Sequence, residues 1–244
     1  MKENKYDDKN FFEKYQQMPR SVQGLTAAGE WHIFQKLIPD LNNKIVLDLG
    51  CGFGWHCRYA IDNGATKVIG VDISQKMLEK AQEINNSPKI KYMQTAIEDL
   101  EFAANSFDIV LSSLAFHYIA SFIDICQKVK RILKPNGTFL FSVEHPIFTA
   151  NNTQQWYLNA NEAPLFWPID NYFYEQKITT NFLGEDVVKY HRTLTSYINT
   201  LILEGFKIEQ LIEPFPSKDA LATIPEMIHE LRRPMMLIIK ATRI

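Results

Sequence analysis

From Lys44 onward the apolar positions alternate between two rhythms. Short β-branched runs predict strands at Ile45–Leu49, Lys67–Val71, Lys89–Met93, Phe107–Leu111 and Thr138–Val143. Apolar residues at helical spacing predict helices from about Trp55 to Asn63, from the cap Ser74 to about Ile84, and from Phe122 to Leu133. Pro135, Asn136 and Gly137 predict a turn before the fifth strand. After His145 and Pro146 the rhythm breaks, and an insertion at about 146–187 carries a dense run of aromatic residues, among them Phe148, Trp156, Trp167, Tyr172 and Phe182. A helix at about Thr195–Glu204 and strands at Phe206–Ile212 and Met235–Ala241 close the pattern.

Strands alternating with helices predict an α/β fold with a doubly wound, mostly parallel sheet of seven strands. At 244 residues the chain suits one domain with an insertion. The expected division is an N-terminal helical segment, 1–43, folding over the site, and a main domain, 44–244. Apolar residues at 46% and charged residues at 22% are those of a globular protein. With 26 basic and 28 acidic residues the chain lacks the positive field that large nucleic acids select. The N-terminus mixes both charges and resembles no secretion signal, and no apolar run is long enough to span a bilayer, so a cytoplasmic location is expected. Cys51, Cys57 and Cys126 show no two-residue spacing, which predicts neither a structural metal nor a dithiol.

The most informative residues are Asp48, Gly50, Gly52 and Gly54, set between the first strand and the first helix of the main domain. A dinucleotide loop needs a third glycine where Trp55 stands. A carboxylate at the strand end repels phosphate but suits a cationic sulfonium. Val46-Leu47-Asp48-Leu49-Gly50-Cys51-Gly52-Phe53-Gly54 resembles the glycine motif of the class I S-adenosylmethionine-dependent methyltransferases, in their small-molecule branch. The resemblance runs over roughly Lys44–Val143 and implies a Rossmann-like methyltransferase fold with S-adenosylmethionine as cofactor.

The same resemblance implies a set of cofactor residues. Asp72 ends the second strand and would accept the ribose hydroxyls, with Ile73 against the adenine. Ala96, Ile97 and Glu98 match the adenine loop, although Ala96 stands where many relatives carry an aspartate. Ser113 and Leu114 match the stretch beside the methionine moiety, and Gly50, Cys51, Gly52 and Gly54 the loop itself. Tyr15 and Arg20 precede the core; Arg20 is expected to pair with the methionine carboxylate.

Methyl transfer from a sulfonium rests largely on positioning the nucleophile. Where a general base is needed, strand-end residues take priority. His145, after Glu144 at the end of the fifth strand, is the first candidate and His191 the second. His117 and His56 are given no chemical role. No Asn/Asp-Pro-Pro-aromatic stretch follows the fourth strand, which argues against nucleobase or glutamine acceptors. The expected acceptor is a small, apolar or aromatic metabolite methylated on oxygen, nitrogen or carbon, with the protein a monomer or homodimer. Two other readings stay open: a nicotinamide-dependent oxidoreductase, and a cofactor-binding regulatory protein without turnover. The aromatic insertion reads equally as a lid or as a separate packing cluster.

Overall fold

A computed structural model describes residues 2 and 4–244. The chain opens with short helices: a 3-10 turn at Lys5–Asp7, α1 (Lys9–Tyr15), α2 (Pro19–Val22) and α3 (Trp31–Leu37). The alternating core follows as β1 (Ile45–Leu49), α4 (Trp55–Asp62), β2 (Lys67–Asp72), α5 (Gln75–Ile84), β3 (Ile90–Gln94), β4 (Phe107–Ser113), α6 (Phe122–Ile132) and β5 (Leu133–Glu144). The insertion holds α7 (Pro146–Ala150), a two-strand ribbon of β6 (Tyr157–Leu158) and β7 (Pro164–Phe166), and a hairpin of β8 (Gln176–Phe182) and β9 (Glu185–His191). The chain ends with α8 (Leu194–Leu203), β10 (Phe206–Ile212), α9 (Lys218–Thr223) and β11 (Met236–Arg243).

Seven strands form the main sheet in the order β10-β11-β5-β4-β1-β2-β3. β1 to β5 run parallel, and β11 lies antiparallel between β5 and β10. Both faces are covered, so neighbouring residues of one strand enter different cores. Leu47, Ile69, Val110, Phe139 and Ile239 pack on one side. Val46, Val68, Ile109, Leu140 and Ile238 pack on the other, beneath Trp31, Phe34 and Cys57.

The turn at Pro135–Gly137 is realised inside β5 rather than before it. Phe107 pairs with Leu133 and Ile109 with Thr138, so a short stretch of β4 faces a longer one of β5 and the excess residues bulge out. Asn136, at φ 62°, takes the left-handed conformation that this bulge needs. Among the described residues no helix is long and apolar enough to cross a membrane.

Candidate functional site

Strand order reverses between β1 and β4, and a cavity of about 430 Å³ opens beyond the carboxyl ends of these strands. Its floor comes from Gly50 and Gly52, Asp72 and Ile73, Ala96 to Glu98, and Ser113 to Ala115. Tyr6, Tyr15, Met18 and Arg20 of the N-terminal strap line it too, as do His117, Tyr118, Glu144, Phe182 and Lys189. The strap is tied down at both ends. The Asp7 carboxylate accepts from Ser74 Oγ at 2.6 Å and from the Lys76 amide at 3.1 Å, at the start of α5. Lys14 Nζ donates to the Leu183 carbonyl at 2.9 Å, on the turn of the β8–β9 hairpin.

The glycine loop is held by its own backbone. The Gly50 and Cys51 amides donate to the Val71 carbonyl at 2.8 and 2.9 Å, and the Gly52 amide donates to Asp72 Oδ2 at 2.9 Å. Asp72 Oδ1 accepts from the Ser74 amide, also at 2.9 Å. Burial pushes the Asp72 carboxyl up to about 6, against the pull of these amides. Gly50 has φ 72°, and a Cβ there would lie 2.5 Å from the Ala115 Cβ. Gly52 has φ 52°, and a Cβ there would meet nothing of the protein within 4 Å. At Gly52 the loop therefore faces open space, with room for a ligand against the backbone.

Five residues singled out in the sequence do not line the main cavity: Asp48, Cys51, Gly54, His145 and His191. Cys51 borders a smaller adjoining recess of about 60 Å³. Gly54, at φ 75°, is the left-handed residue before α4. Asp48 is 1% exposed and faces the Cys57 thiol, which lies 3.3 Å from its Oδ2. Burial pushes its carboxyl up to about 7.

Folded protein thus keeps the Asp48 proton to about pH 7, whereas the unfolded chain releases it near the ordinary value of about 4. The unfolded state binds fewer protons across that window, so this residue lowers stability as pH rises through it. Urea unfolding at a series of pH values is expected to show wild type losing stability relative to Asp48→Asn between about pH 4 and 7, with the gap level above. A gap independent of pH would contradict this environment for Asp48.

Neither histidine candidate is placed for proton transfer to a ligand in the cavity. His145 caps α7, its Nδ1 accepting from the Ile147 amide at 3.0 Å, while its Nε2 lies 2.8 Å from Glu213 Oε1. His191 Nε2 lies 2.8 Å from the Tyr172 carbonyl, which only accepts, so this nitrogen carries the proton. Its Nδ1 is 2.7 Å from Thr149 Oγ1 and takes the hydroxyl proton. Both rings are buried and engaged.

His117, Tyr118, Glu144 and Lys189 occupy the cavity wall instead. His117 Nδ1 accepts from the Glu144 amide at 3.4 Å, and burial pushes this ring down to about 4. Burial works against the Glu144 carboxylate too, yet the neighbouring His117 and Lys189, the latter through an ion pair of 2.6 Å, hold it below the usual range. On the strap side, Arg20 lies 3.5 Å from Glu30 Oε1 and from Ser113 Oγ. The insertion aromatics pack mostly among themselves: Trp167, Phe148 and Trp156 surround the Arg233 guanidinium, with ring centroids 4.1, 4.8 and 5.3 Å away. Of the aromatics between Phe148 and Phe182, only Phe182 lines the cavity.

Residues 47–141 match the family described as "Methyltransferase domain". A solved structure from Listeria monocytogenes, assigned as an S-adenosylmethionine-dependent methyltransferase, is 55% identical with a TM-score of 0.83, over 89% of this chain and 99% of that one. An S-adenosylmethionine-dependent methyltransferase from Mesorhizobium loti is 39% identical with a TM-score of 0.84, over 90% and 100%. The chain belongs to the class I S-adenosylmethionine-dependent methyltransferases.

An uncharacterized protein of Haemophilus influenzae shares 36% identity over 98% of this chain and 96% of its own length. Sequence relatives with a named acceptor are matched over shorter stretches; the chain spans 47% of the length of a tRNA U34 carboxymethyltransferase of Pseudoalteromonas atlantica. As a methyltransferase, this chain has a cavity suited to its cofactor. The open space at Gly52 accommodates a ligand against the backbone, the Asp72 carboxylate retains lone pairs beyond its two amide donors, and Arg20 supplies a cation.

Proposed function

We propose that this methyltransferase modifies a small acceptor with an apolar or aromatic body, bound in the same cavity as the cofactor. The observation that carries this reading is the cavity's largely apolar lining. Tyr6, Met18, Phe182, Met235 and Met236 surround a space that ends on the polar side chains His117, Glu144 and Lys189. In this reading Asp72 accepts the ribose hydroxyls, Ile73 and Ile97 flank the adenine, and Arg20 pairs with the methionine carboxylate. Bound S-adenosylmethionine supplies an activated methyl group on a sulfonium. The protein's part is to hold the acceptor in line, exclude water with the strap and hairpin, and place polar groups at the nucleophile.

The net charge of −2 and a wall built for one small molecule speak against a polymeric acceptor. Incubating the protein and methyl-labelled S-adenosylmethionine with a whole-cell extract is expected to place the label in the low-molecular-weight, solvent-extractable fraction. Label retained on RNA or protein would overturn the proposal.

A further inference from the structure

Given the cofactor placement above, three tyrosines line the cavity between the groups that take the cofactor's two ends. Tyr6 and Tyr15 belong to the N-terminal strap, and Tyr118 closes the single 3-10 turn that follows β4, Phe116–Tyr118. The Tyr6 ring stands at 86° to both of the others, with its centroid 5.1 Å from that of Tyr15 and 6.0 Å from that of Tyr118. Rings set edge to face bound a corner that has an aromatic face on each side. The Tyr6 and Tyr118 hydroxyls lie 3.1 Å apart, so one donates to the other and joins the strap to the turn. Phe11, fully buried, packs edge to face on Tyr6 at 5.1 Å and helps to fix its ring.

The charges these rings feel locate them. Tyr6 and Tyr15 each lie within electrostatic reach of both Asp72 and Arg20, and Tyr118 lies within reach of Arg20 and Glu144. The cofactor's sulfur joins the ribose arm to the methionine arm. With the ribose on Asp72 and the methionine carboxylate on Arg20, the sulfur falls among these rings. Burial pushes all three phenols up, so they are neutral at pH 7, and a neutral ring offers a cation its negative face. The charged side chains of the lining balance, Lys2, Arg20 and Lys189 against Asp72, Glu98 and Glu144, and the buried Glu30 pairs with Arg20. Replacing a tyrosine leaves every one of these charges in place, so a changed preference for a charged ligand reports on the ring.

We propose that Tyr6, Tyr15 and Tyr118 form an aromatic box for the sulfonium, so that the protein binds the cationic methyl donor more tightly than the neutral product. S-adenosylmethionine and S-adenosylhomocysteine differ by one methyl group and one positive charge. Contacts to the adenine, the ribose hydroxyls and the methionine carboxylate are common to both, so discrimination comes from groups beside the sulfur. A ring over a cation shielded from water contributes about twofold to thirtyfold in affinity. Once the charge is lost in the transfer, the rings hold the product less strongly, and the box favours exchange of product for fresh donor.

The test is calorimetric titration with S-adenosylmethionine and with S-adenosylhomocysteine, on wild type and on Tyr15→Leu, Tyr118→Leu, Tyr15→Phe and Tyr118→Phe. Wild type is expected to bind S-adenosylmethionine about tenfold or more tightly than S-adenosylhomocysteine. Each leucine variant should lower that ratio by about threefold or more, because leucine keeps an apolar contact with the methyl but has no aromatic face. The phenylalanine variants should hold the ratio within about twofold of wild type, since the ring remains. Damage to the strap alone weakens both ligands alike and leaves the ratio unmoved. A ratio unchanged in both leucine variants, or lost equally in the phenylalanine variants, would overturn the proposal. So would a wild-type ratio near one or in favour of S-adenosylhomocysteine, whatever the variants do. Folded wild type that binds neither ligand would remove the cofactor placement and the box together, whereas binding of both without preference removes the box alone.

Discussion

Asp72→Ala is expected to weaken S-adenosylhomocysteine binding by about a hundredfold or more. Each hydrogen bond to a charged group contributes about 1.5–3 kcal/mol, and the ribose offers two. The substitution also frees the Gly52 and Ser74 amides that Asp72 now holds. Burial sets the Asp72 carboxyl at about 6, and its ionised form is the better acceptor, so wild-type affinity should fall as pH drops below about 6. The variant should lose that pH dependence. Calorimetry on variant protein of unchanged circular dichroism checks both parts; affinity within about threefold of wild type would contradict the role given to Asp72.

Gly50→Ala and Gly52→Ala are expected to fail in different ways although both residues have positive φ. At Gly50 the new Cβ would sit 2.5 Å from the Ala115 Cβ, adding overpacking to backbone strain. The combined cost is about 3 kcal/mol, a fall in Tm of roughly 6–12 °C for a chain of this size. At Gly52 the Cβ meets no protein atom, so only the strain of about 1–2 kcal/mol remains, while the methyl enters the space where the cofactor approaches. Gly52→Ala should therefore keep most of its thermal stability and lose S-adenosylhomocysteine binding. Equal Tm losses in the two variants, or intact binding in Gly52→Ala, would show that the loop does not face the ligand as described.

The parallel core was legible because both signals agree there. Val46 and Leu47 enter opposite cores, which produces the unbroken apolar run of a doubly covered strand, and the glycines that follow mark a sharp turn of the backbone beside the cavity. Asp72 was legible for the same reason, at the end of the next such run. The β8–β9 hairpin was not. Its inward residues on β9 are Val187, Lys189 and His191, so the alternation of burial is present but apolar character is not. A lysine facing the interior beside a half-buried glutamate reads in sequence as part of a polar loop.

The histidines show the complementary limit. His145 directly follows β5, yet its ring turns to cap α7, a choice made by the following Pro146 and the helix it starts. His117, three residues past the left-handed Leu114, is carried into the wall by a backbone turn that no periodicity marks. Strand-end position identifies which residues are near the site, but side-chain direction follows from the local hydrogen bonds each can make. The polar groups on the far wall thus include Glu144 and Lys189, contributed by a core strand and the insertion.

The most direct measurement is isothermal titration of the native protein with S-adenosylhomocysteine at pH 7.5. One site per chain, with an affinity on the order of micromolar, is the expected result. A folded protein that binds none would contradict the assignment of the cavity above Gly50, Gly52 and Asp72 as the cofactor site.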